Sequence, residues 1–79
     1  MPVVFRVDGF KFFFYSNEGD PREPPHIHVT KGGGKAKFWL RPVALASNSG
    51  FDARTLRELE AIIEANAPRI ERIWNEHFS

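Results

Sequence analysis

His26-Ile27-His28 is the sharpest chemical feature of the chain. Alternate residues of a strand project from one face, so imidazoles at i and i+2 stand side by side and can share a metal ion or a phosphate. A catalytic zinc takes three protein ligands. A third donor is on offer only at Glu18, Asp20 or Glu23, in the segment before the histidines, or at the distant His77. Lys35 and Lys37 follow close behind and repel a dication, so the expectation is no metal and no cofactor. Without a metal, either histidine can move a proton near neutral pH while Lys35, Lys37 or Arg41 stabilises charge on a transferring phosphoryl group, with Tyr15 assisting. That division of labour suits a small metal-independent ribonuclease and makes His26, His28 and Lys37 the candidate catalytic residues. The same side chains also suit docking. A flat strand surface carrying His26, His28, Lys35, Lys37 and Trp39 joins a large amphipathic ring to positive charge, and these five are the candidate binding residues. Single-stranded RNA can stack on such a surface, although a net charge of only +1 keeps the salt-dependent attraction small. Lys31-Gly32-Gly33-Gly34-Lys35 lacks both the Walker spacing and a following helix, and a hairpin turn accounts for its glycines.

The elements that must position these residues are legible from turn signals and periodicity. Val3 to Val7 and Phe10 to Tyr15 flank Asp8-Gly9, a pair that suits a type I′ turn because both residues tolerate positive φ. That register sets Val7 against Phe10, Phe5 against Phe12 and Val3 against Phe14 on an apolar face, with Val4, Arg6, Lys11, Phe13 and Tyr15 opposite. Residues 16–25 hold turn formers and charges and read as a loop. A second hairpin, His26 to Thr30 and Lys35 to Leu40, turns at Gly32-Gly33; Val29 then faces Ala36 and Ile27 faces Phe38. His26, His28, Thr30, Lys35, Lys37 and Trp39 fall on the other side. Pro42 ends the strand, and Val43 to Ala46 adds a short fifth one. Asp52 reads as the N-cap of a helix whose stripe is Leu56, Leu59, Ile63, Asn66, Ile70, Ile73 and His77. Trp74 and Phe78, at helical spacing, read as core. Pro68 removes the hydrogen bond to Glu64 and predicts a kink or a restart near Asn66. The stripe has one place to go, the phenylalanine face of the sheet, which gives an α+β domain: an antiparallel sheet of four or five strands packed on a C-terminal helix or kinked helix pair.

Composition sets the outer limits. The 79 residues make one domain, 1–79, with the sheet in 1–46 and the helical part in 52–78. A chain of this size buries only about 60% of its unfolded surface, which excludes a second core. With no cysteine there is no disulfide, no thiolate metal site and no thiol nucleophile. No run of apolar residues approaches a membrane span, and Arg6, Asp8 and Lys11 interrupt the opening stretch where a signal peptide would need an apolar core, so the expected location is cytoplasmic. Charge is uneven: residues 1–50 hold seven Lys/Arg against four Asp/Glu, and residues 51–79 hold four against six.

Phe5-Arg6, Phe12-Phe13-Phe14-Tyr15-Ser16-Asn17-Glu18, Glu23-Pro24-Pro25-His26-Ile27-His28-Val29, Gly33-Gly34, Ala36-Lys37-Phe38-Trp39-Leu40, Gly50-Phe51 and Trp74-Asn75-Glu76 together make a pattern covering nearly the whole chain. It resembles the bacterial domain of unknown function 4160 family, with Pro-Pro-His-x-His-Val and Ala-Lys-Phe-Trp-Leu as the specific segments. The resemblance carries no enzymatic activity. It implies a short protein, often encoded beside a second small domain in a toxin–antitoxin-like pair, and marks His26, His28, Lys37 and Trp39 as the positions to watch. Lys35 stands where the family often has an acidic or neutral residue, which makes the histidine face more basic. The functional expectation is an interaction module that binds a protein partner, the neighbouring gene's product, through the His/Lys/Trp face; the alternative is the ribonuclease-type toxin.

Overall fold

The computed structural model describes residues 3–16 and 23–78, and over these the chain forms five strands followed by one helix: β1 (Val3–Val7), β2 (Phe10–Phe13), β3 (His26–Lys31), β4 (Gly34–Leu40), β5 (Val43–Ser49) and α1 (Ala53–His77). Each strand pairs antiparallel with its neighbour in sequence, so spatial order follows chain order. The α+β architecture expected from the two halves of the sequence is found, with five strands and a single helix.

Both hairpins turn where their glycines predict. Asp8 and Gly9 have φ of 50° and 84°, as a type I′ turn requires, and Val7 pairs with Phe10 and Phe5 with Phe12. The register shifts between Phe5 and Val3, so Val3 lies against Phe13 and not against Phe14 as simple alternation predicts. This bulge at Val4 turns Val4 toward the core in place of Val3, which is 41% exposed. In the second hairpin Gly32-Gly33 form the turn, and Val29 faces Ala36 and Ile27 faces Phe38 as expected.

The fifth strand is longer than the sequence suggests, ending at Ser49 instead of Ala46. Its pairing with β4 carries a second register shift, between Lys37 and Phe38. Lys37 pairs with Ser47 but Phe38 pairs with Leu45, which leaves Ala46 as the extra residue. Without the bulge, residues 43, 45, 47 and 49 would share one face. With it, Val43 and Leu45 share a face with Phe38 and Leu40, while Ser47 and Ser49 join Lys37 and Lys35 on the other.

The helix begins where the N-cap signal places it. Asp52 Oδ1 accepts the Thr55 N–H at 2.8 Å, and hydrogen bonding from the Thr55 side chain and then from this N–H, with Arg54 and Arg57 adding a weaker attraction, holds the Asp52 carboxyl below its ordinary value of 3.8. One helix then runs to His77 with Pro68 inside it, so of the two expected forms, one helix or a kinked pair, the chain takes the single helix and does not restart near Asn66. Proline in a helix interior costs about 3 kcal/mol. Leu59 and Ile63 before it and Ile70 and Trp74 after it are all fully buried, at about 1.5–3 kcal/mol for each aliphatic side chain, which outweighs that cost and keeps the two halves in phase. The core joins them to Phe12, Phe14, Ile27, Val29, Ala36, Phe38 and Leu40. Of the expected stripe, Leu56 and Ile73 are half-buried and His77 is exposed.

Two contacts tie the helix to the strands. Glu71 on α1 forms an ion pair with Arg41 in the β4–β5 turn. At the other end, the Asn48 side chain brackets Phe51, its Nδ2 donating to the Phe51 carbonyl at 3.0 Å and its Oδ1 accepting the Phe51 N–H at 3.3 Å. The Phe51 ring lies on Gly34, where an added Cβ would come within 2.3 Å of it.

Ile63→Ala should lower stability by about 2–5 kcal/mol, because a fully buried side chain is deleted between two packed layers; urea denaturation measures it. Gly34→Ala should displace the Phe51 ring from its place beside Phe10 and cost about 1–3 kcal/mol as an overpacking change. A lowered melting temperature with altered Phe51 ring-proton shifts is the expected signature.

Candidate functional site

The face of the sheet turned away from α1 gathers the polar side chains in rows across the strands. One row is Lys11, Thr30, Lys35 and Ser49, each opposite the next on strands β2 to β5. The adjacent row is Phe13, His28, Lys37 and Ser47. Rows two residues apart along a strand are separated by about 7 Å. Above them is a hollow of about 420 Å³, lined from both rows and by Tyr15 and Asn48. Three lysines, a histidine and several hydroxyls line it, and none of the described residues lining it is a carboxylate. The surface is therefore concave, and not the flat strand plane that the sequence suggests.

The histidine pair divides into two roles. His28 is half-buried in the hollow: its ring stacks on Phe13 at 5.6 Å, and Tyr15 meets it edge-on at 4.6 Å. Phe13, packed also against Tyr15 at 5.1 Å and lying 5.1 Å beneath the Lys11 ammonium, is buried as the floor of this corner. His26 pairs with Trp39 in the strand register, as expected, but it is 0% exposed and is not available on the surface. Its Nδ1–H donates to the Pro24 carbonyl at 2.9 Å, and its ring packs 4.7 Å from Trp74 of the helix and 5.6 Å from Trp39. The physical reason lies at the sheet's end, where the backbone pairing continues past His26 through the Leu40 N–H to the Pro25 carbonyl at 3.1 Å and Trp74 closes over the opening. The imidazole is held there by packing and a hydrogen bond together.

Lys35 is exposed and makes no ion pair among the described residues. Lys37 lies 3.4 Å from Glu23 and 4.4 Å from the Trp39 ring centre, so its charge is shared between a carboxylate and a π face. Trp39 is half-buried between Lys37 and His26 and does not project as an isolated anchor. Of the possible third metal donors, Glu18 and Asp20 lie outside the described residues; among the described residues no group of three or more His, Asp or Glu is placed to hold an ion.

Lys11, Tyr15, Ser47, Ser49 and the floor at Phe13 complete the site beyond the five expected binding residues. The signal for the first two was present in the polar face of the first hairpin, and it joins the histidine face only once β2 pairs with β3. The serines follow from the Ala46 bulge, which no periodicity announces.

His26 is a structural residue in this geometry. Replacing it with alanine removes a buried ring and leaves the Pro24 carbonyl without its donor, so His26→Ala should lose about 2 kcal/mol or more of stability. His28→Ala, at a half-open position, should lose less, and parallel chemical denaturation of the two variants makes the comparison.

No helix among the described residues is long and apolar enough to cross a membrane. Comparison with curated proteins and with solved structures returns no match. A family model does match, over residues 9–75, a span that contains β2 to β5, the hollow and nearly all of α1. The chain belongs to the family described as domain of unknown function (DUF4160).

Proposed function

We propose that the chain is an interaction module that docks an acidic protein partner across the open face of its sheet, as one component of a small bacterial two-gene pair of toxin–antitoxin type, in the cytoplasm. The observation that carries this reading is the separation of charge between the layers. Lys11, Lys35 and Lys37 surround a hollow that no carboxylate lines among the described residues, Glu23 meeting Lys37 from outside the lining, while the helical half of the chain has six acidic residues against four basic ones. A single-sign face raises the encounter rate with an opposite one and repels like-charged competitors. The partner on this reading is the product of the neighbouring gene, and its contact surface is rich in Asp and Glu. His28, Lys35 and Lys37 are the contact residues, with Trp39 supporting Lys37 from beneath and His26 holding Trp39 in place.

A second reading is favoured by one observation. His28 sits in a concavity with lysines and the Tyr15 side chain, an arrangement that a general acid or base acting on a phosphodiester uses. His28 is then the proton carrier of a metal-independent ribonuclease, since His26 is buried with its Nδ1 proton committed to Pro24.

Co-expression with the neighbouring gene product, followed by calorimetric titration at several salt concentrations, tests the docking reading. Lys35→Glu and Lys37→Glu should each weaken association by about tenfold and flatten its salt dependence. A double variant that binds like the parent overturns docking on this face. Cleavage of RNA by the chain alone, abolished in His28→Ala and insensitive to chelators, decides for the ribonuclease.

A further inference from the structure

We infer that the hollow on the open sheet face is a binding site for a nucleoside monophosphate unit, its base lying on Tyr15 beside His28 and its phosphate held by Lys35 with Lys11 and Lys37. Every residue involved belongs to this chain, so the site needs no partner protein, although His28, Lys35 and Lys37 also serve the docking face.

Four observations converge on that ligand class. The volume, about 420 Å³, falls within the span of roughly 300–1,000 Å³ typical of small-ligand sites. The charge selects an anion: three ammonium groups line the hollow with no carboxylate among its described lining residues, and while Lys37 is shared with Glu23 at 3.4 Å, Lys35 has no ion pair among the described residues. Hydrogen-bonding groups from neighbouring strands stand beside the lysines, with the Ser47 and Ser49 side chains facing Lys37 and Lys35 across the β4–β5 ladder. Thr30 stands between Lys11 and Lys35, but its hydroxyl proton is committed to the Gly34 carbonyl at 3.0 Å, so the lysines and serines hold the phosphate and Thr30 accepts only from a ligand hydroxyl.

The aromatic corner makes the ligand a nucleotide and not a bare anion. Tyr15 is 39% exposed, and its ring is fixed by edge-on contacts to Phe13 and His28 at 5.1 and 4.6 Å. A ring already held in place loses little entropy when a base stacks on it. The corner and the Lys11–Lys35 row lie about 7 Å apart along the strands, the interval of two residues, which a ribose bridges between base and phosphate. An extended acidic peptide has no planar group to place there unless an aromatic side chain happens to stand beside its carboxylates. Binding alone is inferred; no bond is made or broken.

Amide-shift titration of the chain alone, at fixed ionic strength, with adenosine monophosphate, adenosine, inorganic phosphate, hexa-adenylate and hexa-glutamate separates the contributions. Adenosine monophosphate should bind about tenfold or more tightly than adenosine or phosphate, with shifts at Lys11, His28, Thr30, Lys35, Lys37 and Ser47. Lys35→Glu should weaken the nucleotide by about tenfold and leave adenosine unchanged, whereas Tyr15→Ala should weaken both alike. Both positions are exposed, so the variants keep the fold. Hexa-adenylate binding no tighter than the monomer identifies a free nucleotide as the ligand, and hexa-adenylate binding about tenfold tighter identifies a strand of RNA as the source of the same unit. Nucleotide affinity no greater than that of phosphate or hexa-glutamate overturns the inference, as does indifference to Lys35→Glu. Such a failure leaves partner docking standing, because that is measured separately with the partner protein.

Discussion

The pairing of β2 with β3, Phe12 against Val29 and Phe13 against His28, is the constraint on which the remaining geometry rests. Each hairpin is amphipathic by itself, but alternation only says which residues share a face within one ribbon. Joining the ribbons in this register puts Phe12 beside Val29 on the helix side and Lys11 beside Thr30 on the other in one step. A slip of one residue would send the aromatic side chains outward and the lysines into the core. The register is therefore enforced by the cost of burying lysine as much as by the gain from burying phenylalanine.

The helix closes this arrangement at two points with different chemistry. At its start, Asn48 and the Phe51 ring fasten the approach to the bare backbone of Gly34; at its end, Trp74 packs against Phe14 at 5.2 Å and against His26. The second contact links the layers through a histidine. His26 belongs to the strand that carries the candidate site, yet its ring belongs to the core, so the helix steadies the outer face through His26 and then Trp39.

Much of this plan is legible in the residues. Asp8-Gly9, Gly32-Gly33, Pro42 and Asp52 mark turns and a cap whose backbone needs are specific, and the phase of Leu59, Ile63, Ile70 and Trp74 survives Pro68 because it answers to a continuous sheet surface. The bulges at Val4 and Ala46 were not legible, since an extra residue changes parity without changing composition. The burial of His26 was hidden for another reason. Its alternation with Ile27 is correct, but parity says nothing about the end of a sheet, where a side chain can lie under the edge of another element. The concavity likewise depends on the side chains of four strands meeting, and no single ribbon reveals it.

The bulge in β5 has a consequence apart from seating Ser47 and Ser49. This strand is one of the two edges of the sheet, with Leu45 44% exposed and no charged residue along it to discourage pairing. A straight seven-residue edge of this composition is a template on which further chains can add and aggregate. An extra residue at Ala46 bends the strand and breaks the even spacing of its outward-facing amides and carbonyls. An incoming strand then finds two short, misaligned segments in place of one continuous ladder. The irregularity that divides serines from aliphatics thus also guards this edge of the sheet against growing.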